Sequence, residues 1–211
     1  MASYVPITDA EDDPESPATS YWAKRLKNNL IGVAQRAAGA PWVQQPTIER
    51  LTGSGNWTVP DEVTRIRVRA VGGGGNGYPG GGGLGAGGGG GGYVEGFLDV
   101  TPGALIAYVV GGVATASTFN GAGSFSAGGG ANAASANSGV GGTGSGSDVV
   151  LAIQGQEGEL DDVAKTTDAG GASHLSPASN RGAVGLAYGG GGGFDGATGY
   201  AGAAGTIILE Y

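Results

Sequence analysis

The sequence predicts a mainly β protein in which a glycine-rich, β-sandwich-like distal domain with long glycine loops follows an extended arm and one amphipathic α-helix. All but two of the 49 glycines lie beyond residue 50, grouped in runs. Short apolar segments with the alternation of β-strands lie between the runs. Residues 1–47 differ in composition from the remainder of the chain. We therefore divide the chain into an N-terminal arm and helix, 1–47, and a glycine-rich β domain, 48–211.

The N-terminal arm, residues 1–19, is acidic and rich in proline. It contains five acidic residues and three prolines: Asp9, Glu11, Asp12, Asp13 and Glu15 with Pro6, Pro14 and Pro17. Such a composition favours an extended chain that is poorly ordered by itself. We expect this arm to become ordered when it binds a partner.

Residues 20–41 carry the pattern of an amphipathic helix. Ser20 is a suitable N-cap, and Gly39 with Pro41 provides the stop, so the helix is expected to span about residues 21–38. Its apolar residues recur at spacings of three and four: Trp22, Leu26, Leu30 and Val33. Two interpretations stay open: a docking or trimerising module, and a surface helix that covers the sandwich.

A short proline-bounded linker, residues 40–47, leads into the β domain. Arg65, Arg67 and Arg69 alternate with apolar or small residues, as in a half-buried strand. The arginines are expected to be solvated or to meet acidic residues across a subunit interface. The strand candidates are residues 64–71, 93–100, 105–110, 149–153 and 206–211.

The glycine runs need a physical explanation, because each glycine loses much conformational freedom on folding. The runs include Gly72–Gly75, Gly80–Gly83, Gly87–Gly92 and Gly189–Gly193. Residues 72–77 match the G-x-G-x-x-G pattern, but the following Tyr78-Pro79-Gly80 forbids the helix that a dinucleotide site needs. Two alternatives remain: flexible connecting loops, and extended segments that pack closely because they lack side chains.

Composition excludes several classes of function. The chain has no cysteine, so thiolate chemistry and cysteine-ligated metals are unavailable. No apolar stretch is long enough to span a bilayer, and the start lacks a signal-peptide pattern, so we expect a protein made in the cytoplasm without membrane insertion. The net charge of -8 argues against nucleic acid as a partner. No cofactor is expected.

Three segments carry a resemblance to a known family. Trp57-Thr58-Val59-Pro60, the strand Thr64–Val71 that runs into Gly72–Gly75, and the closing Gly205–Tyr211 together resemble the glycine-rich distal domain of bacteriophage tail fibres and receptor-binding proteins. Residues 6–10 through 21–30 also resemble leaders of phage structural proteins.

The resemblance implies a virion structural protein, namely a short tail fibre or tail-tip adhesin that binds the host cell surface. It further implies a homotrimer on the tail or particle surface, made in the host cytoplasm, with a host glycan or outer-membrane protein as receptor. Residues 1–47 would hold other virion proteins, with Trp22, Leu26, Leu30 and Val33 as docking residues. A capsid head fibre or decoration protein is the alternative.

Loop tips on a rigid scaffold are the expected places for receptor contact. Aromatic faces suit sugars and amphipathic surfaces, and Asn or Asp provides directional hydrogen bonds. The candidates are Tyr78, Phe119, Asn120, His174, Asn180, Phe194, Asp195 and Tyr200. For most of the aromatics a plug in a sparse core is the competing interpretation, with Tyr78 and Phe194 as the expected exceptions.

One acidic cluster raises the question of catalysis. Glu157, Glu159, Asp161, Asp162 and Asp168 could provide a carboxylate pair for glycoside hydrolysis, as in a polysaccharide depolymerase, or oxygen ligands for calcium. Nothing in the sequence fixes their geometry, and charge runs are usually solvated. We expect no enzymatic activity, no catalytic residues and no metal site.

Overall fold

The computed structural model describes residues 26–30, 46–80, 84–121, 123–134, 137–160, 169–195 and 197–211. The chain divides into two compact units, Met1–Pro46 and Thr47–Tyr211. In the first unit, residues 26–30 are helical, with Leu26 and Leu30 exposed by 40% and 65%. Trp22, Val33, the acidic arm and the remainder of the predicted helix lie outside the described residues.

The second unit is built from β-strands. Within the described residues the strands are β1 (Ile48–Leu51), β2 (Ser54–Thr58), β3 (Arg65–Val71), β4 (Tyr93–Asp99), β5 (Leu105–Val109), β6 (Ser117–Phe119), β7 (Phe125–Ala127), β8 (Gly144–Ser145), β9 (Val149–Ile153) and β10 (Thr206–Glu210). They form two antiparallel five-stranded sheets, with orders β1-β10-β3-β4-β9 and β2-β5-β6-β7-β8. The prediction of a mainly β fold is confirmed, and all five predicted strands are present.

Both sheets contribute side chains to one hydrophobic core. In β3, Ile66, Val68 and Ala70 are buried, while the alternate arginines lie on the opposite face. The largest buried side chains from the other sheet are Phe119 and Phe125. The alternation predicted from the sequence thus sets which face of the first sheet enters the core.

The arginine face of the first sheet forms ion pairs within the chain. Arg67 contacts Glu95 on β4 at 2.7 Å and Glu210 on β10 at 3.2 Å, and Arg69 contacts Glu210 at 3.4 Å. Tyr93 donates a hydrogen bond of 2.5 Å to Glu95. Arg67 and Arg69 therefore have acidic partners on the neighbouring strands, without a second subunit.

Six glycines in a row form the centre of a packed bundle. The central segment, residues 86–92, follows a three-residue rule from Gly87 onward: positions three apart donate backbone N–H bonds to the same neighbouring segment, whereas Ala86 donates to Tyr78. The donors and acceptors, 2.7–3.0 Å apart, are Gly87 to Glu159 and Gly90 to Gln156, Gly88 to Gly192 and Gly91 to Gly189, Gly89 to Ala131 and Gly92 to Gly128. A period of three without internal hydrogen bonds is that of a polyproline II helix.

Three further segments donate to the carbonyls of the central segment. Their bonds of 2.7–3.0 Å are Gly139 to Gly87 and Gly142 to Gly90, Gly171 to Gly88, and Gly75 to Gly89 with Gly72 to Gly92. Among the described residues, six segments therefore surround the central one: 72–77, 128–133, 139–143, 155–159, 169–172 and 189–193. The arrangement is that of a hexagonal bundle.

The six outer segments are also bonded to one another around the ring. In order, the linking bonds of 2.8–2.9 Å are Gly130 to Gly73, Ala131 to Val140, Gly155 to Gly142, Gln156 to Ala172, Gly191 to Gly171 and Gly192 to Gly75. The ring closes on itself. Buried backbone groups that would be costly to leave unpaired are satisfied by this network.

Only glycine fits the centre of the bundle. A Cβ atom on Gly88 would overlap the carbonyl oxygen of Gly75, and one on Gly90 would overlap that of Ala172. All six residues from Gly87 to Gly92 are buried, and none has a positive φ, so the requirement is for close approach and not for an unusual backbone angle. The glycine runs in the bundle are therefore closely packed extended segments and not flexible connecting loops.

Replacing a central glycine should therefore destabilise the fold strongly. In Gly90→Ala the new methyl group meets a rigid backbone carbonyl, and we expect the free energy of unfolding to fall by about 3 kcal/mol or more. Chemical denaturation followed by near-ultraviolet circular dichroism measures this. The control is Gly112→Ala, since a Cβ at Gly112 has only the Thr115 hydroxyl within 4 Å, at 3.8 Å. Equal stability of the two variants would contradict the bundle.

The ion-pair network predicts a dependence on pH. The hydrogen bond from Tyr93, and then the Arg67 guanidinium, lower the pKa of Glu95 below its ordinary value of 4.5. Because the pKa of Glu95 is lower in the folded state than in the unfolded state, ionised Glu95 stabilises the folded state at pH values above 4.5. That stabilisation is lost as the pH falls through the lowered pKa. Glu95→Gln should reduce the free energy of unfolding at neutral pH by about 1–2 kcal/mol and flatten its acid dependence.

Asp99→Asn provides the matched control for that measurement. Asp99 lies 3.7 Å from Arg65 in a largely exposed pair, with 86% and 64% of the side chains accessible. Exposed pairs contribute little. If the Asp99 variant lost as much stability as the Glu95 variant, the network on β3 and β4 would not be the cause.

Candidate binding surface at the distal end of the glycine bundle

The register of the bundle defines two ends. Residues 72–77 continue from β3, and the central segment enters β4 at Tyr93, so both segments meet the sheets at the same end. At the opposite end, Tyr78 and Ala86 pair through two backbone hydrogen bonds of 2.7 and 3.1 Å. We call this opposite end the distal end.

Four connections of the chain return at the distal end. They join residues 78 to 86, 133 to 139, 159 to 169 and 193 to 200, and each begins and ends beside the same end of the bundle. The described backbone contacts there are Tyr78 with Ala86, Ala86 with Leu160, Ala134 with Asn137, Glu159 with Ala169, and Phe194 with Gly199. The described ends of these connections, distant in sequence, thus lie at the same end of the bundle.

The distal end presents apolar side chains to solvent. Tyr78 is 38% exposed, Leu84 50% and Leu160 44%, and Ala86 bridges the backbone of Tyr78 to that of Leu160. Sequence reasoning identified Tyr78 but missed Leu84 and Leu160. The sequence does contain a signal for both, because each is a large apolar residue that stands beside a glycine-containing segment.

Two predicted contact residues are in fact buried. Phe194 and Phe119 are both fully buried, so the prediction that they contact a receptor is wrong. Phe194 fills space that glycine leaves open, since a Cβ on Gly85 would overlap its ring. Phe119 belongs to the core between the sheets, where it lies against Trp57 at a ring separation of 6.2 Å.

Asp195 and Tyr200 hold one distal connection together. The Asp195 carboxylate accepts backbone bonds from Ala197 at 3.0 Å and Thr198 at 2.8 Å, and a bond of 2.8 Å from the Tyr200 hydroxyl. The bonds from Ala197, Tyr200 and Thr198, in that order, lower the pKa of Asp195. The bond to Asp195 in turn raises the pKa of Tyr200. These hydrogen bonds thus fix Ala197, Thr198 and Tyr200 relative to Asp195.

Asn180 lies beside the same connection. Its carbonyl accepts a hydrogen bond of 3.2 Å from Ala183, and the intervening Gly182 donates one of 3.0 Å to Phe194. The Asn180 side chain is exposed. Tyr78, Asn180, Asp195 and Tyr200 are therefore the predicted residues that the fold brings to the distal end.

The other two predicted residues lie elsewhere. His174 is exposed, and its ring lies 4.3 Å from that of Tyr93 at a tilt of 42°; Tyr93 is the first residue of β4 and so lies at the sheet end of the bundle. Asn120 is exposed in the turn between β6 and β7 with a φ of 54°. Neither adjoins the distal surface.

The structure describes only two of the five residues of the acidic cluster, Glu157 and Glu159. Glu157 is exposed and accepts a hydrogen bond of 2.5 Å from Ser138. Asp161, Asp162 and Asp168 lie outside the described residues. Within the described ranges there is no group of three His, Cys, Asp or Glu side chains placed to hold a metal ion. Residues 72–77, which match the dinucleotide pattern, lie packed in the ring.

Comparison with known proteins gives no family assignment: no protein-family model matches the chain, and no curated protein matches its sequence. In the described part of the chain, no helix has the length and apolar character needed to cross a membrane.

Removing the Asp195 carboxylate should release the tip that it holds. In Asp195→Ala we expect the amides of Ala197 and Thr198 to lose protection from hydrogen exchange, because both donate to that carboxylate. In the unmodified protein the same protection should fall as the pH drops through the lowered pKa of Asp195. Tyr200→Phe is the control, since it keeps both backbone bonds. Unchanged exchange in Asp195→Ala would contradict this role.

Proposed function

We propose that this protein is a noncatalytic structural component of a bacteriophage particle that binds the host cell surface through the distal end of its glycine bundle. The observation that supports it best is the return of four separate connections to one end of a hydrogen-bonded bundle. Loops held by a rigid scaffold are suited to recognition. The resemblance of residues 57–60, 64–75 and 205–211 to phage tail fibres points the same way.

The proposal gives each part of the chain a role. Residues 1–47 attach the protein to other virion proteins, and the exposed Leu26 and Leu30 are available for that contact. The β-sheets anchor the bundle through their hydrophobic core. Three copies would associate in the particle, and the distal ends would point toward the host.

The contact surface is expected to combine apolar and polar groups. Tyr78, Leu84 and Leu160 provide exposed apolar area, and Asn180 provides an exposed amide. Asp195 and Tyr200 are occupied with each other, so they shape the surface more than they donate to a ligand. A host glycan or an outer-membrane protein would suit such a surface.

The position of the protein on the particle tests the first half of the proposal. Immunogold electron microscopy with an antibody against the full chain should label the tail tip of virions. Label spread over the capsid would instead indicate a decoration protein. Absence of label from intact particles, with an antibody that recognises the native protein, would contradict a virion component.

Competition for adsorption tests the distal surface. Purified full-length protein should inhibit adsorption of the phage that carries it, and Tyr78→Ala with Leu160→Asp should weaken inhibition about tenfold, as expected for the loss of a contact residue. Leu105→Asp is the matched control, because Leu105 is 68% exposed on β5, away from the bundle. Equal inhibition by both variants would contradict the assigned surface.

A further inference from the structure

Two asparagines in the chain are followed by glycine, and their surroundings differ. The pairs are Asn76-Gly77 in the bundle and Asn120-Gly121 in the turn between β6 and β7. An Asn-Gly pair is the dipeptide most prone to spontaneous deamidation, because glycine has no side chain to hinder attack by its own backbone nitrogen. The two sites are thus chemically alike, so any difference in their reactivity must come from the fold.

The backbone nitrogen of Gly121 is free to react. Its N–H forms no hydrogen bond with any residue in the described ranges. Asn120 and Gly121 are exposed, and a Cβ on Gly121 or Gly123 would have nothing within 4 Å. Attack on the Asn120 side chain requires rotation about the ψ angle of Asn120. The turn is held by a bond of 3.0 Å from Asn120 to Ala107 and by longer bonds of 3.2 and 3.3 Å from Ser124 and Phe125 to the Gly121 carbonyl, none of which involves the Gly121 nitrogen.

The corresponding atoms of the Asn76 site are held in place. Gly77 donates its N–H to Tyr200 at 2.9 Å, and the Asn76 side-chain oxygen accepts a bond of 3.1 Å from Gly202. The Asn76 backbone also bonds to Asn132 and Ala133, both at 2.8 Å. A Cβ on Gly77 would overlap the carbonyl oxygen of Gly193, so the segment has no room to rotate.

We propose that Asn120 is a site of spontaneous deamidation in the folded protein and that Asn76 is protected from it. The Gly121 nitrogen gives up its proton to a base in solution and bonds to Cγ of Asn120, while the Cγ–Nδ2 bond breaks and the Nδ2 group takes a proton from water and leaves as ammonia. Water then opens the five-membered imide at either carbonyl. The products are aspartate and isoaspartate, the latter with an extra methylene in the backbone.

The change would act on a hydrogen-bonded turn. The Asn120 amide lies 3.5 Å from the Ser124 hydroxyl, which donates a bond of 2.6 Å to Asp148. Deamidation removes the amide donor and places a second carboxylate beside Asp148, where like charges repel. We expect the modified turn to be less protected from hydrogen exchange than the original one.

Peptide mapping by mass spectrometry of the full-length protein, aged near neutral pH, tests the proposal. Asn120 should convert about tenfold or more faster than Asn76, which reacts only through local opening of the bundle. In denaturant the two sites should convert at similar rates, which shows that the fold causes the difference. Asn120→Gln should abolish the signal at that site and leave the rate at Asn76 unchanged.

Three results would overturn the proposal. One is conversion of both sites at equal rates in the folded protein. Another is faster conversion at Asn76. The third is an unreacted Asn120 in folded protein under conditions in which both sites convert in denaturant, since the turn would then protect Asn120 as well as the bundle protects Asn76.

Discussion

The close contact of backbone with backbone around residues 86–92 is the constraint on which the second unit depends. The N–H groups of Gly87–Gly92 reach three neighbouring segments and the carbonyls of the same run reach three others, drawn from residues 72 to 193. Each net hydrogen bond contributes only about 0.5–1.5 kcal/mol, similar to the entropic cost of ordering a glycine in place of an alanine. No single segment is therefore stable without the rest, and the bundle must form as a unit.

The two sheets provide the buried apolar area that the glycine runs lack. Burial of apolar area is worth roughly 25 cal/mol per Å², and glycine contributes little of it. Strands β3, β4 and β10 bury Ile66, Val68, Val94, Ile207 and Leu209 in the shared core, and β3 and β4 lead directly into the ring and the central segment. The hydrophobic core therefore fixes one end of the bundle, and hydrogen bonds extend that order to the distal end.

The sequence predicted the elements that depend on local pattern. The alternation around Arg65, Arg67 and Arg69 located β3, and the apolar runs located β4, β5, β9 and β10. The partners of the glycine runs could not be predicted, since a run of identical residues contains no register information. In this bundle the register between segments is set by the fit of each backbone carbonyl into the space that a missing side chain leaves. That fit exists only in the assembled bundle. Strands β1, β2, β6, β7 and β8 were not predicted, and the last three have only two or three residues each.

The candidate contact residues show how glycine changes the usual reasoning about aromatic side chains. Phe194 stands among glycines in the sequence, which suggested exposure, yet the missing side chain of Gly85 leaves the space that its ring fills. Tyr78 has a similar context and also lies where the chain leaves the bundle, yet it stays 38% exposed. The gap left by glycine decides the outcome: an aromatic residue whose ring reaches such a gap is buried, and one without such a gap stays partly exposed. Recognition by this fold would therefore be confined to the turns, where side chains can vary without meeting a backbone carbonyl.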